Sequence, residues 1–465
     1  MAMLLPNPTG AGRRPRLHRS PGLAGLCPVP PLGSRLPVGT GTRTNMAAPS
    51  HQATYDAIVI GAGIQGSFTA YHLARRHRDT LLLEQFILPH SRGSSHGQSR
   101  ITRSAYAQAT YARMMPDSFH LWQQLEAEAG TSLYRQTGLM MLGPADNPEL
   151  EGCRCSVSTN QILDAAALTQ RFPGLRLHAG EVAVWDGTGG VLLADRALRA
   201  VQDVFRRHGG TLRDGEKVLR IEPGAVLTVT TTAGVYRAPR LIITAGAWTG
   251  ALLAPLGLHL PLQPLRIDVC YWREKEPGSL GAGRLGPCFI AVGLSQYPHD
   301  IYGLPSLEYP GLVKVCYHHG SSTDPEERDR VPPGTPRPDI ALLSSFISRY
   351  LPGLEPSPAV VETCLYTNTP DEDFILDRHP KFSNIIIGAG FSGRQWRGAP
   401  TSPQSRPEPW GWLCPPAPLL SAGHGFKLAP VVGKLLCELS LDEEPSHSTA
   451  PFAITRFPGV LRAAL

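Results

Sequence analysis

The sequence contains no run of eighteen apolar, uncharged residues, so it encodes no candidate membrane-spanning helix. It contains no CxxC pair and no other metal-ligand spacing. Its nine cysteines are scattered, and the nearest two, Cys153 and Cys155, have one residue between them. That pattern argues against a zinc site and a disulfide framework and suits a reducing compartment. Most of the chain also lacks an excess of either charge. Residues 1–50 hold six arginines, no lysine and no acid, so the remainder carries 44 − 6 = 38 basic residues against 38 acidic ones. The basic balance therefore gives no support for a nucleic-acid partner.

Two segments stand apart. Residues 1–50 are rich in Pro, Gly and Arg. An acid-poor, Arg-rich start fits a mitochondrial transit peptide, but nine prolines break any long amphipathic helix there. The plainer expectation is a disordered extension upstream of a second start at Met46. Residues 394–423 hold seven prolines and three of the seven tryptophans and match no periodicity. They read as a disordered insert of the kind a translated intron would give, or as a long surface loop.

The apolar fraction of 42% permits a sizeable core. Tyr55–Ile60 is a short apolar run suited to a buried parallel strand. Gly61-Ala-Gly63-Ile-Gln-Gly66 follows, then a helix over Ser67–His77 with Phe68, Tyr71, Leu73 and Ala74 near one face. Leu81–Leu83 is a second buried strand, and it ends in Glu84. This is the order of a dinucleotide-binding βαβ unit. Gly61 permits the tight turn, Gly63 lets the backbone approach a pyrophosphate, and Gly66 lets helix and strand pack closely. The helix N-terminus offers free N–H groups to phosphate, and Glu84 can accept from ribose hydroxyls.

Further on, Asp195–His208 reads as a helix, and Gly215–Ile221 and Ala225–Thr231 as strands. Leu241–Thr244 and Ile385–Ile387 are again short apolar strands that run into Gly. Lys427–Leu439 is an amphipathic helix. Three such strands suggest one doubly wound α/β sheet assembled from distant segments, with its ligand at the strands' carboxyl ends.

Three further stretches resemble the monomeric sarcosine oxidase family: Gly93-Ser-Ser-His-Gly-Gln-Ser-Arg100-Ile-Thr-Arg103, Cys364-Leu-Tyr366-Thr-Asn-Thr-Pro-Asp-Glu-Asp-Phe, and Gly388-Ala-Gly-Phe-Ser-Gly393 resumed by His424-Gly-Phe-Lys427. The resemblance runs from about Tyr55 to Pro458, the insert excepted. It implies a flavoprotein of the D-amino-acid-oxidase type, with a Rossmann-like FAD-binding domain and a second, substrate domain built on a mixed β-sheet over the flavin. The implied FAD-binding parts are residues 54–138, 188–266, 370–393 and 424–458, and the substrate-domain parts 139–187 and 267–369. Members oxidise small secondary amino acids such as sarcosine, L-pipecolate or L-proline to imines and pass the electrons to O₂, giving H₂O₂. A monomer is implied.

The resemblance also assigns roles. Cys364 matches the cysteine joined through sulfur to the flavin 8α-methyl, a bond that needs a thiolate. Arg103 and Lys427 match two cations that hold the substrate carboxylate, with Tyr366 beside it; a charge clamp is the practical way to orient so small a substrate. His96 and Arg100 match residues close to the flavin ring. Lys314 matches a lysine that promotes O₂ reduction, since a cation stabilises developing superoxide. His318, four residues on and on the same strand face, matches an active-site histidine. Val218 matches a residue whose backbone contacts the FAD adenine. Taken alone, each also fits a plainer part: a core cysteine or tyrosine, a solvated surface charge, a loop cap.

Two departures bear on function. The insert separates Gly393 from His424 and Lys427 at a turn that, in relatives, touches the cofactor. Either it bulges outward and leaves Lys427 in place, or the product is an inactive splice variant. Relatives end in a peroxisomal SKL-type tripeptide recognised by an import receptor, whereas this chain ends Ala463-Ala464-Leu465. Peroxisome is the expected location, with cytoplasm or mitochondrion as alternatives. The βαβ unit alone would also allow an NAD-dependent dehydrogenase, against which the Cys364 and Lys314 motifs argue.

Overall fold

Ala57–Ile60 is buried on both faces of a six-stranded sheet, as its unbroken apolar run requires. In the computed structural model the described residues are 52–156, 161–278, 286–306, 309–330, 334–391 and 423–460. The expected extension (1–50) and all but Gly423 of the expected insert (394–423) lie outside them.

In that sheet the strand order is Thr211–Arg213, Thr80–Leu83, Ala57–Ile60, Leu241–Ile243, Ile385–Ala389, Ile375–Arg378. All neighbours are parallel except the last pair. The central strand, Leu241–Ile243, is hydrogen-bonded to Ala57–Ile60 on one side and to Ile385–Ile387 on the other. Three segments far apart in sequence thus bring their carboxyl ends side by side.

One face of this sheet is covered by helices. Ile64–Arg75 packs against Gly425–Ser440 and Ala194–Arg207. Sequence periodicity gave the first of these helices a single apolar face. In the structure every residue from Ile64 to Ala74 is buried, because neighbouring helices occupy both of its flanks. It also begins three residues earlier than expected and stops before His77, which takes a left-handed φ of +55°. The other face carries Val218, Leu227 and Val229 from a four-stranded sheet. The first of those strands starts at Val218 and not at Gly215, whose φ of +68° cannot continue a strand.

The second sheet has nine strands and is mixed: Leu139–Pro144 and Cys288–Ala291 are parallel, while the other pairs are antiparallel. Strand alternation sorts its residues. Val313, Val315 and Tyr317 pack with Phe346 and Tyr350 of the helix Pro338–Tyr350. Leu312 and Cys316 join Ile267, Tyr271 and Cys364 on the opposite face. Lys314, between Leu312 and Cys316 in the alternation, shares that face and is buried. A solvent-facing lysine, the plain alternative from its spacing, is therefore not what forms.

Candidate functional site

The Gly61–Gly66 turn joins the Ala57–Ile60 strand to the buried helix, and each glycine answers a different constraint. Gly61 has φ +99°, and a Cβ there would lie 2.6 Å from the Thr244 carbonyl oxygen. At Gly66 a Cβ would lie 2.0 Å from the Gly61 carbonyl oxygen and 2.5 Å from Thr244 Oγ1, so this glycine serves helix–strand packing. At Gly63 it would meet only Ser95 Oγ, at 3.1 Å. Bareness at Gly63 therefore opens the backbone to the cavity beside it. The helix has no side-chain cap at Gly63, while Ile64 N–H donates to Ser95 Oγ at 3.0 Å. Glu84 is already oriented by backbone: Oε2 accepts from Ala62 N–H at 3.0 Å and Oε1 from Phe86 N–H at 3.1 Å. His90 Nε2 also lies 3.4 Å from Oε1, so it is Oε2 that keeps a lone pair for a ligand hydroxyl.

From this turn a single cavity of about 1550 Å³ runs to the face of the nine-stranded sheet that carries Lys314 and Cys364. That exceeds the usual several hundred to ~1,000 Å³ of a small-molecule site, leaving room for a dinucleotide and a second small molecule. A Gly-rich turn at a helix N-terminus, an acid at the end of the next strand, and a long channel leading away fit FAD. Gly61, Gly63 and Glu84 line one end, with Val218 beside them. His96, Arg100, Lys314, His318, Cys364, Tyr366 and Lys427 line the rest. Two expected residues do not line it. Gly66 lies behind the turn, and Arg103 is fully buried one layer deeper.

The charges are held mainly by carbonyls and rings. Arg100 donates to the carbonyls of Ser94, His96 and Ser99 at 2.9, 2.7 and 2.8 Å, and lies 5.6 Å from the Phe426 ring centre. Those acceptors are neutral, so its full charge remains. Lys314 Nζ is 3.4 Å from the Ser99 carbonyl oxygen and 5.7 Å from the Tyr271 ring centre. His96 places Nδ1 at 2.5 Å from the Gly93 carbonyl and Nε2 at 3.1 Å from that of Thr363. Burial first, and the Arg100 charge second, push its pKa down to about 4, so the ring is neutral near pH 7.

Lys427 is buried with its ammonium 5.6 Å from the centre of the Tyr106 ring. Burial, and then the charge of Arg103, hold its pKa well below the ordinary lysine value. Its backbone is pinned, because its carbonyl accepts from Ser118 Oγ at 2.5 Å and Trp122 Nε1 at 2.9 Å. Arg103 packs on the same Tyr106 ring at 4.4 Å and reaches Met141 Sδ at 3.0 Å. Its Nε and Nη2 have no hydrogen-bond partner among the described residues. His318 lies between two tyrosines, its ring centre 5.2 Å from that of Tyr366 and 5.4 Å from that of Tyr302.

The described residues flanking the insert meet. Gly425 N–H donates to the Phe391 carbonyl at 3.1 Å, and a Cβ at Gly425 would lie 2.2 Å from that oxygen. The helix Gly425–Ser440 therefore starts where the sheet delivers it, with Lys427 in the cavity wall. Sequence reading missed Tyr302, Tyr271 and Arg328, which also line the cavity. The tyrosines lie on neighbouring strands, Tyr271 opposite Lys314 and Tyr302 opposite Cys316, a cross-strand pairing that alternation within one strand does not report. Arg328, inside the charged run Asp324-Pro-Glu-Glu-Arg-Asp-Arg330, reads as solvated and carries no signal either.

The model of the family described as FAD dependent oxidoreductase matches residues 56–402. The chain is 55% identical over 415 residues to the peroxisomal sarcosine oxidase of Homo sapiens, covering 88% of this chain and 98% of that one. It is 30% identical over 410 residues to the monomeric sarcosine oxidase of Bacillus sp. (strain NS-129), covering 86% and 97%. In fold it is similar to NikD, an unusual amino acid oxidase essential for nikkomycin biosynthesis, with a TM-score of 0.69, 23% identity and coverage of 86% and 97%. L-proline dehydrogenase from P. horikoshii is similar to the same degree, with a TM-score of 0.69, 19% identity and coverage of 88% and 99%.

Proposed function

Because the chain belongs to the FAD dependent oxidoreductase family, we propose that it is an oxidase of small secondary amino acids (sarcosine, L-pipecolate or L-proline). The observation that carries this reading is the single cavity that joins the Gly-rich turn to Lys314, Tyr366 and Lys427. FAD bound here would supply the redox chemistry, namely acceptance of the electron pair released as the substrate C–N bond is oxidised to an imine, with O₂ as the final acceptor.

The chain's own residues do the rest. Gly61, Gly63 and the helix N-terminus receive the pyrophosphate, Glu84 the ribose, and the Val218 backbone the adenine. Cys364 would hold FAD covalently, through an 8α-S-cysteinyl bond. Lys427 in the cavity wall holds the substrate carboxylate, and Arg103, one layer deeper, adds the second positive charge, with Tyr366 and His318 alongside. Arg100 would offer its cation to negative charge on the flavin ring, His96 would hold the loop beside it, and Lys314 would offer a cation to O₂ in the reoxidation half of the reaction. Active product is favoured over an inactive variant by the contact between Phe391 and Gly425, which closes the turn at the insert. We further propose a monomer in the peroxisome, delivered by its import receptor; the relatives of Homo sapiens and Mus musculus carry that compartment in their names.

The test is direct. Purified protein should be yellow, its flavin should stay with acid-precipitated protein, and H₂O₂ should appear with at least one of the three amino acids. Silence with every secondary amino acid would overturn the oxidase reading. Deleting residues 394–423 should leave turnover within a few-fold; restoration from no activity would identify the intact chain as the inactive variant.

A further inference from the structure

Thr363, the residue before Cys364, has its carbonyl held from outside the sheet. Arg328 Nη2 donates to it at 2.6 Å. The same guanidinium donates through Nη1 to the Ser91 carbonyl, in the loop that follows the Thr80–Leu83 strand and its Glu84. Arg328 is 3% exposed. Its Nε lies 3.4 Å from the Asp329 carboxylate, itself half exposed. A buried, permanently charged side chain is thus spent on two backbone carbonyls, one in each wall of the cavity.

Those two walls meet around one sulfur. Cys364 Sγ lies 4.0 Å from the Ser94 carbonyl, three residues along the loop from Ser91. His96, on the same loop, places Nε2 3.1 Å from the Thr363 carbonyl and Nδ1 2.5 Å from that of Gly93. A neutral ring has one proton to donate. With that proton on the shorter contact, the carbonyl of Thr363 is left to Arg328.

We propose that Arg328 is a positioning residue for covalent attachment of FAD, clamping the 91–96 loop to the strand at Thr363 so that the Cys364 sulfur is held against the cavity. The proposal rests on the reading of Cys364 given above. In the attachment step an S–C bond forms as a C–H bond of the flavin 8α-methyl breaks. The thiol and methyl protons leave, the electron pair passes to the ring system, and O₂ removes it as H₂O₂. Arg328 takes no part in that exchange. It fixes where the sulfur stands, which governs an intramolecular reaction steeply.

The experiment reconstitutes flavin-free full-length chain with FAD and follows, over time, the flavin retained after acid precipitation; free FAD affinity is read separately by quenching of flavin fluorescence. Wild type should retain flavin and Cys364→Ala should release all of it. Arg328→Met should bind FAD within about two-fold of wild type but attach it roughly ten- to a hundred-fold more slowly, the scale set by an ångström of misplacement. Attachment at the wild-type rate overturns the proposal, as does an equal fall in affinity and rate, which marks Arg328 as merely structural. Should Arg328→Met not fold, Arg328→Lys carries the test: one ammonium does not reproduce the fork that reaches both carbonyls, so slow attachment is expected and a wild-type rate overturns the proposal. Release of flavin by wild type itself refutes the Cys364 reading, and the role of Arg328 falls with it.

Discussion

Lys427 holds its ammonium 5.6 Å from the centre of the Tyr106 ring, and the Arg103 guanidinium packs on the same ring at 4.4 Å. Burial and the neighbouring cation both disfavour the charged lysine, and Lys427 has no carboxylate partner among the described residues. A bound carboxylate would supply the missing charge. The KM for an amino acid substrate should therefore rise with pH through the lowered pKa of Lys427, well before 10.5. Lys427→Met should lose this pH dependence and weaken substrate binding by about 2 kcal/mol, roughly thirty-fold in KM. For stability the sign runs the other way. The unfolded chain binds the extra proton between the lowered pKa and 10.5, so ligand-free protein should gain stability as pH rises through that window. Steady-state KM profiles and thermal melts across pH check both statements.

Gly63 and Gly66 should separate binding from folding. A methyl at Gly66 meets backbone and the Thr244 hydroxyl, so Gly66→Ala should cost about 1–3 kcal/mol of stability. At Gly63 the nearest atom is the end of the Ser95 side chain. Gly63→Ala should melt close to wild type yet copurify with much less FAD. Melting curves and flavin-to-protein ratios, measured on the same samples, decide this.

Lys314→Met should leave reduction of the flavin by substrate nearly unchanged and slow its reoxidation by O₂ about 10²- to 10³-fold, as for removal of a preorganised charge-stabilising group. Stopped-flow traces under anaerobic and then aerated conditions read the two halves separately. Equal slowing of both would place Lys314 in substrate binding instead.

Glu84→Gln replaces an acceptor-only carboxylate by an amide whose nitrogen must face one of two backbone N–H donors, those of Ala62 and Phe86. The loss should be about 1–3 kcal/mol, seen as a lower melting temperature and faster loss of FAD on dilution of a noncovalent Cys364→Ala background.

The buried βαβ run was legible from sequence because its features are local: apolar residues in a short stretch, glycines at fixed offsets, an acid at the strand end. So was the convergence of Leu241–Ile243 and Ile385–Ala389 on it, since each repeats the same pattern. The ends of helices were less legible. Ile64–Arg75 starts inside the Gly motif and is buried on every side as far as Ala74, because Gly425–Ser440 and Ala194–Arg207 cover both its flanks, and no window of its own residues reports that. Arg103 was expected beside the substrate and lies one layer deeper, since motif matching gives a residue's neighbours in sequence and not its depth. Arg328 was missed for the same reason from the other direction: a charged run looks solvated until the carbonyls of Ser91 and Thr363 are seen around it.

The sheet that ends at the cavity is completed by Ile385–Ala389, and its covering helix, Gly425–Ser440, comes later still. During synthesis on the ribosome, the Gly-rich turn emerges early but has neither its far wall nor Lys427 until nearly all of the chain has left the exit tunnel. Flavin loading therefore has to follow translation, and nascent chains stalled before that helix should be released without cofactor.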